Sequence, residues 1–223
     1  MSKEISDYSL KELEAIQDYM PTAGGFPSRI LAADRGYDVW LLQLYSDIEN
    51  IIKEKIRPMA SYMQDYQEDW FNLEIASSLK LLGYLASHDS WTNGHPDILV
   101  ESTKGFKWIG ESKIHSSYEY LLEGFRQLCE RYSSGLDNEH EGAILIITKN
   151  SSIKILMEKW RKKLISDSYY YTNGIKTEDL DADKLFFRSI HPHSVSGTSF
   201  TVKHIPISIR FNPTDKSGRN RKK

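Results

Sequence analysis

From Gly142 to Ile147 the chain reads Gly-Ala-Ile-Leu-Ile-Ile, an unbroken apolar run closed by Thr148. Side chains of a strand alternate between its two faces, so a run of this kind needs cover on both sides. It marks a central strand, and hence an α/β layer architecture with helices on either face of a sheet. Segments able to supply that cover lie on both sides of it in sequence. Trp40, Leu41, Leu44, Ile48, Ile51, Ile52 and Ile56 recur at helical spacing up to Pro58. Trp70, Phe71, Ile75, Leu79 and Leu82 do so within about 64–86, and Leu121, Leu122, Phe125, Leu128, Cys129 and Tyr132 do so after Ser116-Ser117. Ser9 and Glu12 fit a capping box that opens an earlier helix. Ser151-Ser152 precedes a further helix through Trp160 to Leu164.

Between the second and third of these periodic segments lies the stretch with the most chemistry. Pro96-Asp97-Ile98-Leu99-Val100 and Phe106-Lys107-Trp108-Ile109-Gly110-Glu111-Ser112-Lys113-Ile114 flank a polar connection, Glu101 to Gly105. Two runs rich in β-branched and aromatic residues around a short glycine-containing turn form a β-hairpin. The period of two puts Glu111 and Lys113 on one face, and Asp97 opens the facing strand. Two acids and an ammonium converging on one sheet face are expensive to desolvate unless a metal or substrate offsets the cost. Without such a ligand they are an ordinary solvated pair worth little.

The spacing Pro96-Asp97 followed by Glu111-Ser112-Lys113 resembles the signature of the PD-(D/E)xK nuclease superfamily, the restriction-endonuclease-like fold. The resemblance spans about 68–148. It implies an αββαβ core with a mixed central sheet flanked by helices, preceded here by an N-terminal helical extension over 1–62. The nuclease domain would occupy 63–212 and a basic tail 213–223. It further implies that Asp97 and Glu111 bind Mg²⁺, for which Mn²⁺ would substitute, and that Lys113 serves the attacking water and the scissile phosphate. In that family the helix before the first strand commonly supplies another acid; Glu74 is the position that matches, as a catalytic and metal residue, with Glu68 or Asp69 as alternatives. Gln127, with Tyr132 five residues later, resembles a glutamine that supports the site from the following helix. DNA is the implied substrate, with restriction or anti-phage defence as the setting and repair or recombination as the alternative. A nucleic-acid-binding subunit with a silent site and a protein-interaction module are the non-enzymatic readings.

At 223 residues the chain holds one domain, with or without a small accessory piece. No apolar run approaches the roughly 18 residues of a membrane span, and no apolar signal core follows Met1-Ser2-Lys3-Glu4, so a cytoplasmic protein is expected. A single cysteine, Cys129, excludes an internal disulfide and a cysteine-rich zinc site. His88, His95 and His115 lack the spacing of zinc ligands. His191 and His193 read as loop residues. No GxxxxGK[ST] phosphate loop is present, so target choice would fall to a homo-oligomer or a partner protein. The net charge is -2, which does not suit indiscriminate coating of nucleic acid, although local patches matter more. Lys159, Arg161, Lys162 and Lys163 around Trp160 are candidate phosphate contacts, or simply a solvated helix face, and the basic tail Lys216 to Lys223 is the other cluster.

Overall fold

A computed structural model describes residues 5–19, 25–89 and 94–215. Its apolar run is β4 (Glu141–Thr148), the middle strand of a seven-stranded sheet. The other strands are β1 (Leu85–Ser87), β2 (Ile98–Glu101), β3 (Lys107–Ile114), β5 (Lys176–Asp179), β6 (Phe187–Pro192) and β7 (Ser199–Ser208), in the order β1-β2-β3-β4-β7-β6-β5. Parallel pairing joins β3 to β4 and β4 to β7; every other pair is antiparallel. The sheet is therefore mixed, with three parallel strands at its centre.

The helices are α1 (Leu10–Ile16), α2 (Phe26–Arg35), α3 (Tyr37–Ile51), α4 (Glu68–Leu81), α5 (Tyr118–Arg126), α6 (Ile153–Ser166) and α7 (Ser168–Thr172). Strand alternation divides the core in two. Val100, Trp108, Leu145, Ile147 and Ile205 pack with α3 and α4 on one face. Leu99, Ile109, Ile144, Ile146 and Val202 pack with α5, α6 and α7 on the other. Each fully buried aliphatic side chain contributes about 1.5–3 kcal/mol, so β4 is anchored from both sides. Local signals set several helix ends. Ser9 and Glu12 form the capping box, Ser117 caps α5 and Ser152 caps α6.

The segment expected as an N-terminal extension covers the sheet. The Tyr45 hydroxyl donates to the Gly142 carbonyl at 3.1 Å and accepts from Trp108 Nε1 at 3.1 Å, and Tyr37 donates to the Lys107 carbonyl at 3.0 Å. Arg29 of α2 grips Asp47 of α3 through two bonds of 2.7 and 2.8 Å, and Tyr84 donates to the same carboxylate at 2.7 Å. This buried network ties α2 and α3 to the chain leaving α4.

Several of these expectations change. The helix expected over 64–86 is shorter, because Gly83, at φ +94°, ends it. Tyr84 N–H bonds to the Leu79 carbonyl and Gly83 N–H to that of Lys80, a Schellman closure that leaves Leu85 free to start β1. The expected αββαβ order thus gains an edge strand before β2. The polar stretch 166–183 contains α7 and β5. His191 lies in β6, not in a loop. Pro206 lies within β7 where one side of the strand is an open edge: β6 pairs with β7 only as far as His204, so the missing N–H costs no ladder bond. The tail Lys216 to Lys223 lies outside the described residues.

The core contains two histidines held neutral. His204 accepts from Trp160 Nε1 at 3.0 Å and bonds Ser189 Oγ at 2.9 Å. His191 packs among Phe125, Tyr170 and Phe200, and neither of its ring nitrogens has a hydrogen-bond partner among the described residues. Burial lowers the His191 pKa to about 4 and that of His204 well below the ordinary value. Unfolded chain takes up these protons near pH 6.5, so the stability from keeping the rings neutral is complete above that pH and is lost as pH falls toward 4. His191→Leu should flatten the pH dependence of unfolding free energy between pH 6.5 and 4 by up to about 3 kcal/mol. Denaturant titrations across that range check this; an unchanged slope would show that His191 does not carry the effect.

Candidate active site

The β2–β3 hairpin builds the site by register. Ile98 pairs with Gly110, so Asp97, one residue earlier, faces Glu111. Asp97 Oδ2 accepts the Ser112 N–H at 2.7 Å, which fixes the carboxylate against β3. Glu111 and Lys113 project from the β3 face that packs on α5, and they are only 2% and 7% exposed. Lys113 Nζ donates to Glu111 Oε1 at 2.7 Å. The lysine stem crosses Gly124 of α5, where a Cβ would lie 2.7 Å from Lys113 Cγ and 2.8 Å from its Cε. Glycine is therefore required there by contact, since this position allows no side chain over the lysine.

The helix acid is Glu68, in the first turn of α4. Its Oε1 accepts the Ile114 N–H at 2.6 Å and its Oε2 accepts the Tyr120 hydroxyl at 3.1 Å, 3.9 Å from Lys113 Nζ. Glu74 lies elsewhere: it pairs with Lys55 and accepts from Ser78 Oγ at 3.2 Å. The expectation for Glu74 is corrected by helix geometry. Six residues are about one and two-thirds turns, so Glu68 and Glu74 face different directions, and only the N-terminal one reaches β3. The Tyr120 ring lies 5.5 Å from Lys113 Nζ and adds a cation–π contact. Tyr120 and Gly124 have no sequence signal of their own; their place at the site follows from how α5 docks.

Gln127 opens a π-helical turn, Gln127–Tyr132, that continues α5. The i→i+5 bond from Ser133 N–H to the Leu128 carbonyl at 3.2 Å belongs to this turn, whose two ends are Gln127 and Tyr132. The Tyr132 phenol is raised by burial, then by the nearby charge of Glu111. Gln127 Oε1 is buried without a hydrogen-bond partner among the described residues.

Three carboxylates thus surround one ammonium. Burial, and then the Asp97 charge opposite, push the Glu111 pKa up to about 7 against the pull of Lys113. Burial also raises Asp97, opposed by the Ser112 amide and Lys113. Burial alone would lower Lys113, but Glu111, Asp97 and Glu68 together outweigh it and hold the ammonium above the ordinary lysine value. Glu111 Oε2 is buried with no hydrogen-bond partner among the described residues. An excess of negative charge with an orphaned carboxylate oxygen suits a hard cation. Among the described residues, no three His, Cys, Asp or Glu side chains close into a metal cage. Mg²⁺ asks for less, one or two carboxylates with waters and a substrate phosphate, and Asp97 and Glu111 meet that requirement.

The basic helix is less available than its sequence suggests. Arg161 pairs with Asp179 and lies 4.5 Å over the Phe187 ring, and Lys163 reaches Glu119 at 3.0 Å. Lys159 and Lys162 are exposed. No protein-family model, curated protein or solved structure matches the chain. Among the described residues, no helix is long and apolar enough to cross a membrane.

The Gly124 contact is directly testable. Gly124→Ala should destabilise the fold by about 1–3 kcal/mol through overpacking against Lys113. In a Lys113→Ala background the same change should cost little, which a double-mutant cycle by chemical denaturation measures. Equal costs in both backgrounds would place the strain elsewhere.

Proposed function

We propose that this protein is a metal-dependent nuclease of PD-(D/E)xK type that hydrolyses phosphodiester bonds in DNA. One observation carries the reading: Asp97, Glu111, Lys113 and Glu68 meet on a buried face of β3, with excess negative charge and an oxygen on Glu111 unpartnered among the described residues. The order α4-β1-β2-β3-α5-β4, with β3 and β4 parallel, is compatible with the restriction-endonuclease-like core and supports the reading. The resemblance extends it to Mg²⁺ as cofactor, to the cytoplasm, and to restriction or anti-phage defence as the setting.

Asp97 and Glu111 would hold the divalent ion, which supplies Lewis-acid charge and acidifies a bound water. Asp97 is kept in place by the Ser112 amide, so its free oxygen needs no reorganisation. Lys113, locked over Gly124 and flanked by Glu111 and Glu68, offers a fixed ammonium to the attacking water and to a non-bridging phosphate oxygen. Glu68, held by Ile114 N–H and Tyr120, orients that ammonium. The water oxygen bonds to phosphorus in line with the departing 3′ oxygen, and the site exposes the lysine only slightly to bulk solvent.

Cleavage of plasmid, linear duplex, single-stranded DNA and RNA in Mg²⁺ or Mn²⁺ tests the proposal. Asp97→Ala, Glu111→Ala and Lys113→Ala should each lower the rate by about 10²-fold or more, and EDTA should abolish it. Glu68→Ala should impair cleavage, whereas Glu74→Ala should leave it near wild type. Cleavage that survives Glu111→Ala, or folded wild type that neither binds metal nor cuts any substrate, would overturn the reading.

The raised Glu111 pKa also sets a pH signature. A proton competes with the cation below about pH 7, so Mn²⁺ affinity should fall by up to about tenfold per pH unit there and level off above it. Calorimetry in buffers of differing ionisation enthalpy should register about one proton released at pH 6; no release would remove Glu111 from the metal site.

A further inference from the structure

We propose that the groove at the carboxyl ends of β3, β4 and β7 is a second phosphate subsite, taking a backbone phosphate of duplex DNA next to the one held at the Lys113 cluster. The proposal rests on the nuclease reading of that cluster. The three strands are parallel and end together: Ile114 lies beside Ile147, and Thr148 beside Ser208. Crevices outside the carboxyl ends of such strands are where open α/β sheets bind ligands. Here Tyr118, Lys149, Asn150, Ser152, Lys159 and Arg210 line a cavity of about 330 Å³. Water fills about 30 Å³ per molecule, so there is room for a phosphate group with part of its hydration shell.

The chemistry of the lining is one-sided. Three cations face the groove, and among the described residues no carboxylate lines it, although the chain as a whole carries a net charge of -2. Lys149 reaches the Gln64 carbonyl, a neutral partner. Lys159 and Arg210 are exposed and have no carboxylate partner among the described residues. The amino terminus of the 14-residue helix α6, capped by Ser152, opens into the same groove and adds its partial positive charge.

Its placement ties it to the candidate active site. Glu111, Lys113 and His115 share one face of the chain, by alternation. His115 packs on Tyr118 with ring centroids 5.0 Å apart, and its Nδ1 lies 3.5 Å from Asn150 Nδ2. Two residues of extended chain span about 7 Å, so a strand of nucleic acid leaving Lys113 meets the groove within about one nucleotide. Arg161 and Lys163, tied up in ion pairs, lie outside it; Lys159 is the only member of the sequence-derived basic cluster that lines it.

The test is fluorescence anisotropy of a labelled 20-base-pair duplex with the full chain in EDTA, where no cleavage intervenes. Lys159→Ala/Arg210→Ala should bind at least tenfold more weakly, and the slope of log affinity against log salt should fall by about two. Lys162→Ala, one turn further along α6 and outside the lining of the cavity, should bind as wild type. Folding and Glu111-dependent Mn²⁺ binding should be unchanged in every variant. A double variant that binds with wild-type affinity and slope overturns the groove while leaving the nuclease reading intact if wild type still cleaves. Groove-dependent binding by a wild type that neither binds metal nor cuts any substrate sustains the subsite and sinks the nuclease reading. Wild type that neither binds nor cleaves duplex overturns both.

Discussion

The structure turns on a buried ion pair. On a surface, Glu111 and Lys113 two residues apart would contribute little. Here β2 and β4 clamp β3 on both edges, α5 covers the face, and the two side chains cannot swing out to water. Desolvation costs several kcal/mol per ion and is offset only when the remaining valences are met. Glu111 Oε1 and Lys113 Nζ meet each other, but Glu111 Oε2 does not find a partner among the described residues. The raised Glu111 pKa expresses the same imbalance. The sheet therefore carries an acidic group whose charge is only partly compensated by its neighbours.

The mixed sheet explains how four residues from three elements reach that point. β3 is the junction between an antiparallel and a parallel half. Its antiparallel partner delivers Asp97 by register, and its amides anchor two of the acids, Ser112 N–H holding Asp97 and Ile114 N–H holding Glu68. Its parallel partners end together and leave a basic hollow beyond their carboxyl ends. Acidic centre and basic groove therefore lie on one face of the same sheet. The N-terminal helices serve this layout from the opposite side, where Tyr37 and Tyr45 bond directly to backbone carbonyls of β3 and β4.

Much of this is legible in the sequence. The two-sided burial of β4, the hairpin, the shared face of Glu111 and Lys113, and the caps at Ser9, Ser117 and Ser152 all follow from periods of 2 and 3.6 and from local hydrogen bonding. The helix acid is not, because one candidate is chosen over another by the docking angle of α4, and helical spacing fixes only their relative direction. β1 was hidden by a leucine-rich stretch that reads as helix until Gly83 is given its left-handed backbone. β5 was hidden in a polar segment because an exposed edge strand carries no apolar alternation. His191 read as loop because a lone histidine next to proline gives no sign that aromatic rings will surround it.

What the sequence by itself determined is local and periodic: which segments are strands and helices, which residues share a face, and that Asp97, Glu111 and Lys113 fall within one hairpin. Tertiary structure alone decided which acid joins them, that Gly124 must lack a side chain, that Arg161 and Lys163 are taken by ion pairs, and that Lys149, Lys159 and Arg210 face one groove. These are contacts between residues from about ten to about sixty positions apart. Their geometry depends on how rigid elements dock, and docking is set by the packing of both core layers at once rather than by any local pattern.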